Sequence, residues 1–106
     1  MRQITRQAVN AFYNRYNFRL NNTEVRNFEN GNTCLYLFGN RIAILTKDNT
    51  LAFCCCGWDS PTTLERLRGL GLNIRKDKGQ LRYAGAIIDP CKEYVALHNE
   101  QYLIRS

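Results

Sequence analysis

Cys54, Cys55 and Cys56 stand in a row, Cys34 and Cys91 lie elsewhere, and His98 is the single histidine. Thiolates and an imidazole can hold a structural zinc or form the nucleophile and base of thiol catalysis. A zinc needs four donors converging as a tetrahedron, usually from Cys-x2-Cys knuckles. Cys54 and Cys56 could share one strand face with Cys34 beside them, and His98 would complete a Cys3His set. The spacing matches no such module, so no metal is expected. His98 sits in a weakly patterned stretch, and no catalytic residue is assigned. The nine carboxylates are scattered. Gly69-Leu70-Gly71 follows a helical segment rather than a strand, which fails the context of a dinucleotide turn. The expectation is a protein that is not an enzyme and carries no cofactor.

Charge is the more informative property. The 106 residues hold fifteen Lys and Arg against nine Asp and Glu, a net +6. The cations are segregated. Arg2, Arg6, Arg15 and Arg19 face no acid in residues 1–19, and Arg66, Arg68, Arg75, Lys76, Lys78 and Arg82 outnumber Glu65 and Asp77 in residues 65–82. Eleven of the fifteen cations are Arg, the side chain suited to bidentate contacts with carboxylate or phosphate. If these ten share one exposed side, that side would bind a polyanion or an acidic protein face. Tyr13, Tyr16 and Tyr83 lie among them and could stack on bases. The alternative is a solvated face that keeps the protein soluble.

These groups must be positioned by an α+β fold. Ile4, Ala8, Ala11, Phe12 and Tyr16 recur at helical spacing, which predicts a helix over 4–16 with Thr5 as N-cap. The period then switches to two. Segments 24–28, 33–38, 41–46 and 50–56 read as an antiparallel β-meander, broken at Asn30-Gly31, Gly39-Asn40 and Asp48-Asn49. Apolar groups on both faces mean that the sheet is covered on both sides at its centre, with the N-terminal helix as one cover. Ser60-Pro61 opens a short second helix with Ser60 as cap, Thr62 and Glu65 offering a competing capping box. Leu64 and Leu67 form its buried edge, and Arg66 and Arg68 fall on its polar side. A hairpin over 72–84 turns at Lys78-Gly79, and a further strand covers 86–89. Trp58, where strand gives way to helix, reads as a plug under the short helix.

The chain is one α+β domain over 1–106, with 90–106 a tail or last strand; we favour a last strand followed by a tail. No apolar run approaches the roughly 20 residues of a membrane span, and no apolar segment follows the basic N-terminus as in a signal peptide. An odd number of cysteines, three of them consecutive, fits reduced, partly buried thiols in a cytosolic protein better than a disulfide framework.

Three blocks resemble a family of small tailed-phage proteins of unassigned function. They are Asn22-Thr23-Glu24-Val25, Leu35 to Ala43, and Gly57-Trp58-Asp59-Ser60-Pro61-Thr62-Thr63-Leu64-Glu65-Arg66-Leu67. The resemblance runs over residues 12–89. It departs at the cysteine triplet, at Ile88-Asp89-Pro90 (where the family usually has Trp-Asp-Gly) and in the longer tail. It implies a phage gene product working in a host bacterial cytoplasm. From that follows the expected function: a non-enzymatic inhibitor of a bacterial defence system, such as an anti-CRISPR protein, acting on a nuclease effector protein or its guide RNA through an Arg-rich face. The alternative is a sequence-nonspecific nucleic-acid-binding accessory.

Overall fold

Phe18, Val25, Leu35, Ala43 and Phe53 stand opposite one another, each on a different antiparallel strand. Side chains alternate along a strand, so this row makes one sheet face apolar. The computed structural model describes residues 2–96. Its elements are α1 (Gln3–Asn14), β1 (Phe18–Leu20), β2 (Thr23–Asn27), β3 (Thr33–Leu37), β4 (Asn40–Leu45), β5 (Leu51–Phe53), α2 (Pro61–Gly69), β6 (Ile74–Asp77), β7 (Gln80–Tyr83), β8 (Ala86–Ile87) and β9 (Tyr94–Val95). The larger sheet runs β1-β2-β3-β4-β5-β9, and β6-β7-β8 form a second sheet. The expected α+β architecture is present: N-terminal helix, antiparallel meander, short helix, hairpin.

α1 lays Ala8, Ala11 and Phe12 into the core it shares with the larger sheet and turns the buried Thr5 toward α2. Leu64, Leu67, Leu70, Leu72, Ile74, Leu81 and Tyr83 join the same apolar cluster, so α2 and the second sheet share a core with the first. The register shifts between Leu35 and Tyr36, leaving Ile42 without a partner in the ladder. Ile42 and Ala43 are consecutive yet both buried, as a β-bulge allows. The opposite face of the large sheet is only partly covered: Cys34 and Ala52 are buried, while Tyr36 and Ile44 are half-buried.

Several local expectations are corrected. β1 was not anticipated, and β5 is three residues long rather than the expected seven. The β3–β4 turn is centred on Phe38-Gly39, one residue before the Gly39-Asn40 expected, with both φ positive. The N-cap of α1 is Arg2, whose side chain makes no capping bond; Thr5 lies inside the helix and turns inward. The cap of α2 is Ser60, which accepts from the Thr63 backbone N–H. The last strand expected after residue 90 is the short β9, paired with β5; residues 97–106, with His98, lie outside the described residues.

The largest correction concerns Arg66. Its side chain is 1% exposed, not on a polar face. Its Nε donates to Thr23 Oγ1 at 3.1 Å, Nη1 to Thr5 Oγ1 at 2.8 Å and to Glu65 Oε1 at 2.5 Å, and Nη2 to Asn22 Oδ1 at 3.5 Å. One guanidinium thus ties α2 to α1 and β2. Glu65 also accepts from the Thr5 hydroxyl and from the Arg2 backbone N–H. Burial alone would raise the Glu65 carboxyl, but the Thr5 and Arg2 hydrogen bonds and the Arg66 charge hold it below the usual carboxylate range. It also places a negative charge at the N-terminus of α1, whose own first turn has no acid.

Arg66→Glu is therefore expected to cost about 3–5 kcal/mol of stability, because it puts an unpaired carboxylate where a bonded guanidinium was. Arg68→Glu, at an exposed position in the last turn of α2, should cost less, about 1 kcal/mol, for the lost bond to Ile74 O and an acid at the helix C-terminus. Urea unfolding of the two single variants checks both. Because the Glu65 pKa is lowered on folding, its contribution is present above the unfolded value and fades as pH falls through the folded one.

Candidate binding surface around Trp58

Two tight turns at one end of the large sheet each push an aromatic ring outward. At the first, Phe38 (φ 52°) and Gly39 (φ 79°) are both left-handed, a conformation natural to Gly and costly for Phe. The Phe38 N–H donates to Asn22 O at 2.8 Å, and its side chain is 72% exposed. At the second, Cys56 (φ 56°) and Gly57 (φ 79°) are left-handed, and the Trp58 N–H closes the turn on Cys55 O at 2.8 Å. Gly57 N–H is held by Pro90 O at 2.9 Å. Trp58 emerges 67% exposed. The expectation of a core plug is overturned: the turn aims the indole at solvent.

Phe38 and Trp58 line one groove of about 490 Å³, together with Leu37, Ile42, Cys55 and the start of α2 at Ser60, Thr62 and Thr63. On its other side Trp58 borders a second hollow of about 510 Å³, with Arg68, Arg75 and Lys76 along it. An apolar slot and a cationic one therefore share a single indole. Lys76 Nζ is 3.3 Å from Asp59 Oδ1, and Arg68 Nη1 donates to Ile74 O at 3.2 Å. The Arg75 side chain makes no hydrogen bond or ion pair among the described residues, and the residue stands directly across the ladder from Arg82. Like charges so placed repel, and an anion between them would relieve the repulsion.

The ten cations named from the sequence do not gather on one side as a set. Arg68, Arg75 and Lys76 come together at Trp58. Arg66 is buried in the network described above. Arg15 is committed internally: its guanidinium donates to the carbonyls of Gly31, Leu45 and Thr46 and to Asn49 Oδ1, pinning the end of α1 to the loops beside β3 and β4. Arg19 pairs across strands with Glu24, whose carboxyl is lowered chiefly by the hydrogen bond from Arg26. Arg82 bonds Gly85 O and leaves its Nε buried without a partner among the described residues. Lys78 is exposed at the β6–β7 turn, and Arg2 and Arg6 are exposed on α1 and its cap.

The tyrosines sort in the same way. Tyr13 is half-buried, with its hydroxyl on Leu70 O, and Tyr83 is buried edge-on against Phe53 at 4.8 Å between ring centres. Neither offers a face to a base. Tyr16 is 46% exposed and accepts from Asn10 Nδ2. Phe38 is a strongly exposed ring that sequence reasoning passed over, and Trp58 one that it assigned to the core. Each neighbours a glycine in a tight turn, and that was the available signal.

All five cysteines are unbridged. Among the described residues no group of three or more His, Cys, Asp or Glu converges as a metal would require. Burial pushes the Cys55 thiol up to about 12 and raises Cys34. None of the described helices is long and apolar enough to cross a membrane.

The model of the Kyanoviridae Gp96 protein family, a phage protein family, matches residues 1–89. The chain belongs to this family. Its span takes in α1, the meander, α2 and the second sheet, and it stops short of β9 and Cys91. Comparison with curated proteins and with solved structures finds no match.

Trp58→Ala should leave urea stability within about 0.5 kcal/mol of the parent, as a surface change does. Iodoacetamide at neutral pH is expected to modify exposed Cys91 first, and Cys55 and Cys34 only on unfolding; mass spectrometry of the labelled peptides reads the order. A thiol whose pKa is raised on folding favours the fold below its unfolded value and loses that contribution as pH climbs. Stability should therefore decline between pH 9 and about 12, and a Cys55→Ala variant should decline less.

Proposed function

We propose that this phage protein is a non-enzymatic binding protein that works in the host cytoplasm through the Trp58 surface, against a nuclease effector complex of host defence in the manner of an anti-CRISPR protein. The observation that carries the reading is the 67% exposed indole between an apolar groove and the Arg68–Arg75–Lys76 cluster. Trp and Arg are the side chains that dominate binding hot spots, and a large exposed apolar ring gains most when a partner covers it. The net +6 points to an anionic partner and away from mimicry of DNA, which would call for an acidic surface. The cations that α1 contributes at Arg2 and Arg6 would widen the field that steers association.

A second reading, a nucleic-acid-binding accessory without sequence preference, draws on the same cluster through phosphate contacts and counterion release.

The test is genetic. Expressing the protein in a bacterium whose CRISPR nuclease targets a challenge phage should restore plaquing, and the Trp58→Ala, Arg75→Glu double variant should lose that effect while remaining folded. Plaquing unchanged by the parent protein across representative nuclease systems would refute the inhibitor reading. Steep, salt-sensitive binding to DNA or RNA in the absence of any effector protein would then favour the accessory.

A further inference from the structure

We infer that the groove between Phe38 and Trp58 takes an unpaired nucleobase of a single-stranded nucleic acid, with the neighbouring phosphates lying over Arg68 and Arg75. This rests on the proposal that the Trp58 surface is the working one, and it names what that surface holds.

Three observations lead there. Two aromatic rings border one groove that Leu37, Ile42 and Cys55 also line, an apolar surface on which a flat ring can be buried. Single-strand binders combine such stacking platforms with a cationic track for the backbone. At the rim, the side chains of Asn40 and Thr62 make no hydrogen bond among the described residues, while Ser60 and Thr63 are bonded to each other. An amide and a hydroxyl are thus left to meet the polar edge of a base, which carries both donors and acceptors. Beyond Trp58 the hollow is lined by Arg68 on α2, by Arg75 and Lys76 on β6 and by Asp59 just before α2; Asp59 pairs with Lys76, so Arg68 and Arg75 are the cations left to meet a phosphate.

A peptide fits less well. The backbone around the groove is already used: the N–H groups of Phe38, Gly57 and Trp58 are bonded to Asn22, Pro90 and Cys55. A peptide strand would find no open edge there to pair with. Duplex DNA keeps its bases stacked and offers nothing to the slot. The placement of Phe38 adds to the case. The Phe38-Gly39 hairpin turn requires positive φ at both positions, and it carries a bulky, exposed ring where a small or polar residue would meet that need at less cost.

Trp58 is the single Trp of the chain, so its fluorescence reports the slot directly. The folded protein is titrated with an unlabelled oligonucleotide of about ten nucleotides, a length in the range single-strand sites cover. The same nucleotides in a duplex and an acidic, Leu-containing peptide are titrated separately. The single strand should quench the indole, and its affinity should fall steeply as salt rises from about 50 to 200 mM; the duplex and the peptide should not quench. Phe38→Gly relieves the backbone strain, so it should raise thermal stability yet weaken binding about tenfold or more. Arg75→Glu should weaken binding without lowering the melting temperature, since it replaces a like-charge pair with Arg82 by an opposite-charge one.

Quenching by the peptide with none by the single strand would overturn the inference in favour of a protein partner. So would single-strand binding unaffected by Phe38→Gly. Failure of the oligonucleotide together with a plaquing effect that still needs Trp58 would remove the nucleobase slot and leave the proposed function standing.

Discussion

The buried guanidinium of Arg66 is the constraint around which the other elements are arranged. A charge at 1% exposure is tolerable only when its donors are matched, and the matching groups come from three places: Thr5 on α1, Asn22 and Thr23 at the start of β2, and Glu65 beside it on α2. Satisfying one side chain therefore fixes where both helices sit against the large sheet. Two of the blocks that resemble the tailed-phage family, Asn22-Thr23 and Glu65-Arg66, are the two sides of this network. Their residue types are explained by folding, without any appeal to a binding role.

The same network sets the position of the exposed surface. Asn22 receives the Phe38 N–H on its carbonyl while its side chain faces Arg66. The β3–β4 turn that displays Phe38 is thus braced by the residue that helps to bury Arg66. α2 begins at the groove with Ser60 and ends at the second sheet, so one helix carries the scaffold charge inward at Arg66 and a surface charge outward at Arg68. Neighbouring arginines two positions apart perform opposite tasks.

Much of the architecture was legible from the chain. The 3.6-residue period of α1, the alternation from β2 to β5, the Ser60-Pro61 helix start and the Lys78-Gly79 hairpin all depend on nearest neighbours, and each was read correctly in kind. What escaped depends on partners far away in sequence. Arg66 looks polar-facing until it is known that Thr5 arrives from 61 positions away. Thr5 looks like a cap for the same reason. α2 is covered by α1 and the large sheet on one side and by the second sheet on another, so it buries two stripes where amphipathic reasoning expects one. Trp58 was assigned to the interior from its place between strand and helix, whereas two consecutive left-handed residues, Cys56 and Gly57, turn it out. Counting arginines located a basic character but could not separate committed from available groups: Arg15 and Arg66 serve the fold, and Arg68, Arg75 and Lys76 border the indole.

The central claim is this division of labour, a closed arginine network inside and an aromatic–cationic surface outside. Nitrogen-15 NMR of the protein with a short single-stranded oligonucleotide tests it most directly. The account predicts shifts confined to the Trp58 indole N–H, the backbone of Phe38, Asn40 and Thr62, and the Arg68 and Arg75 Nε–H signals. The Arg66 Nε–H should stay slow to exchange and unmoved. Perturbation centred on α1 or on Arg66, with Trp58 unchanged, would contradict it.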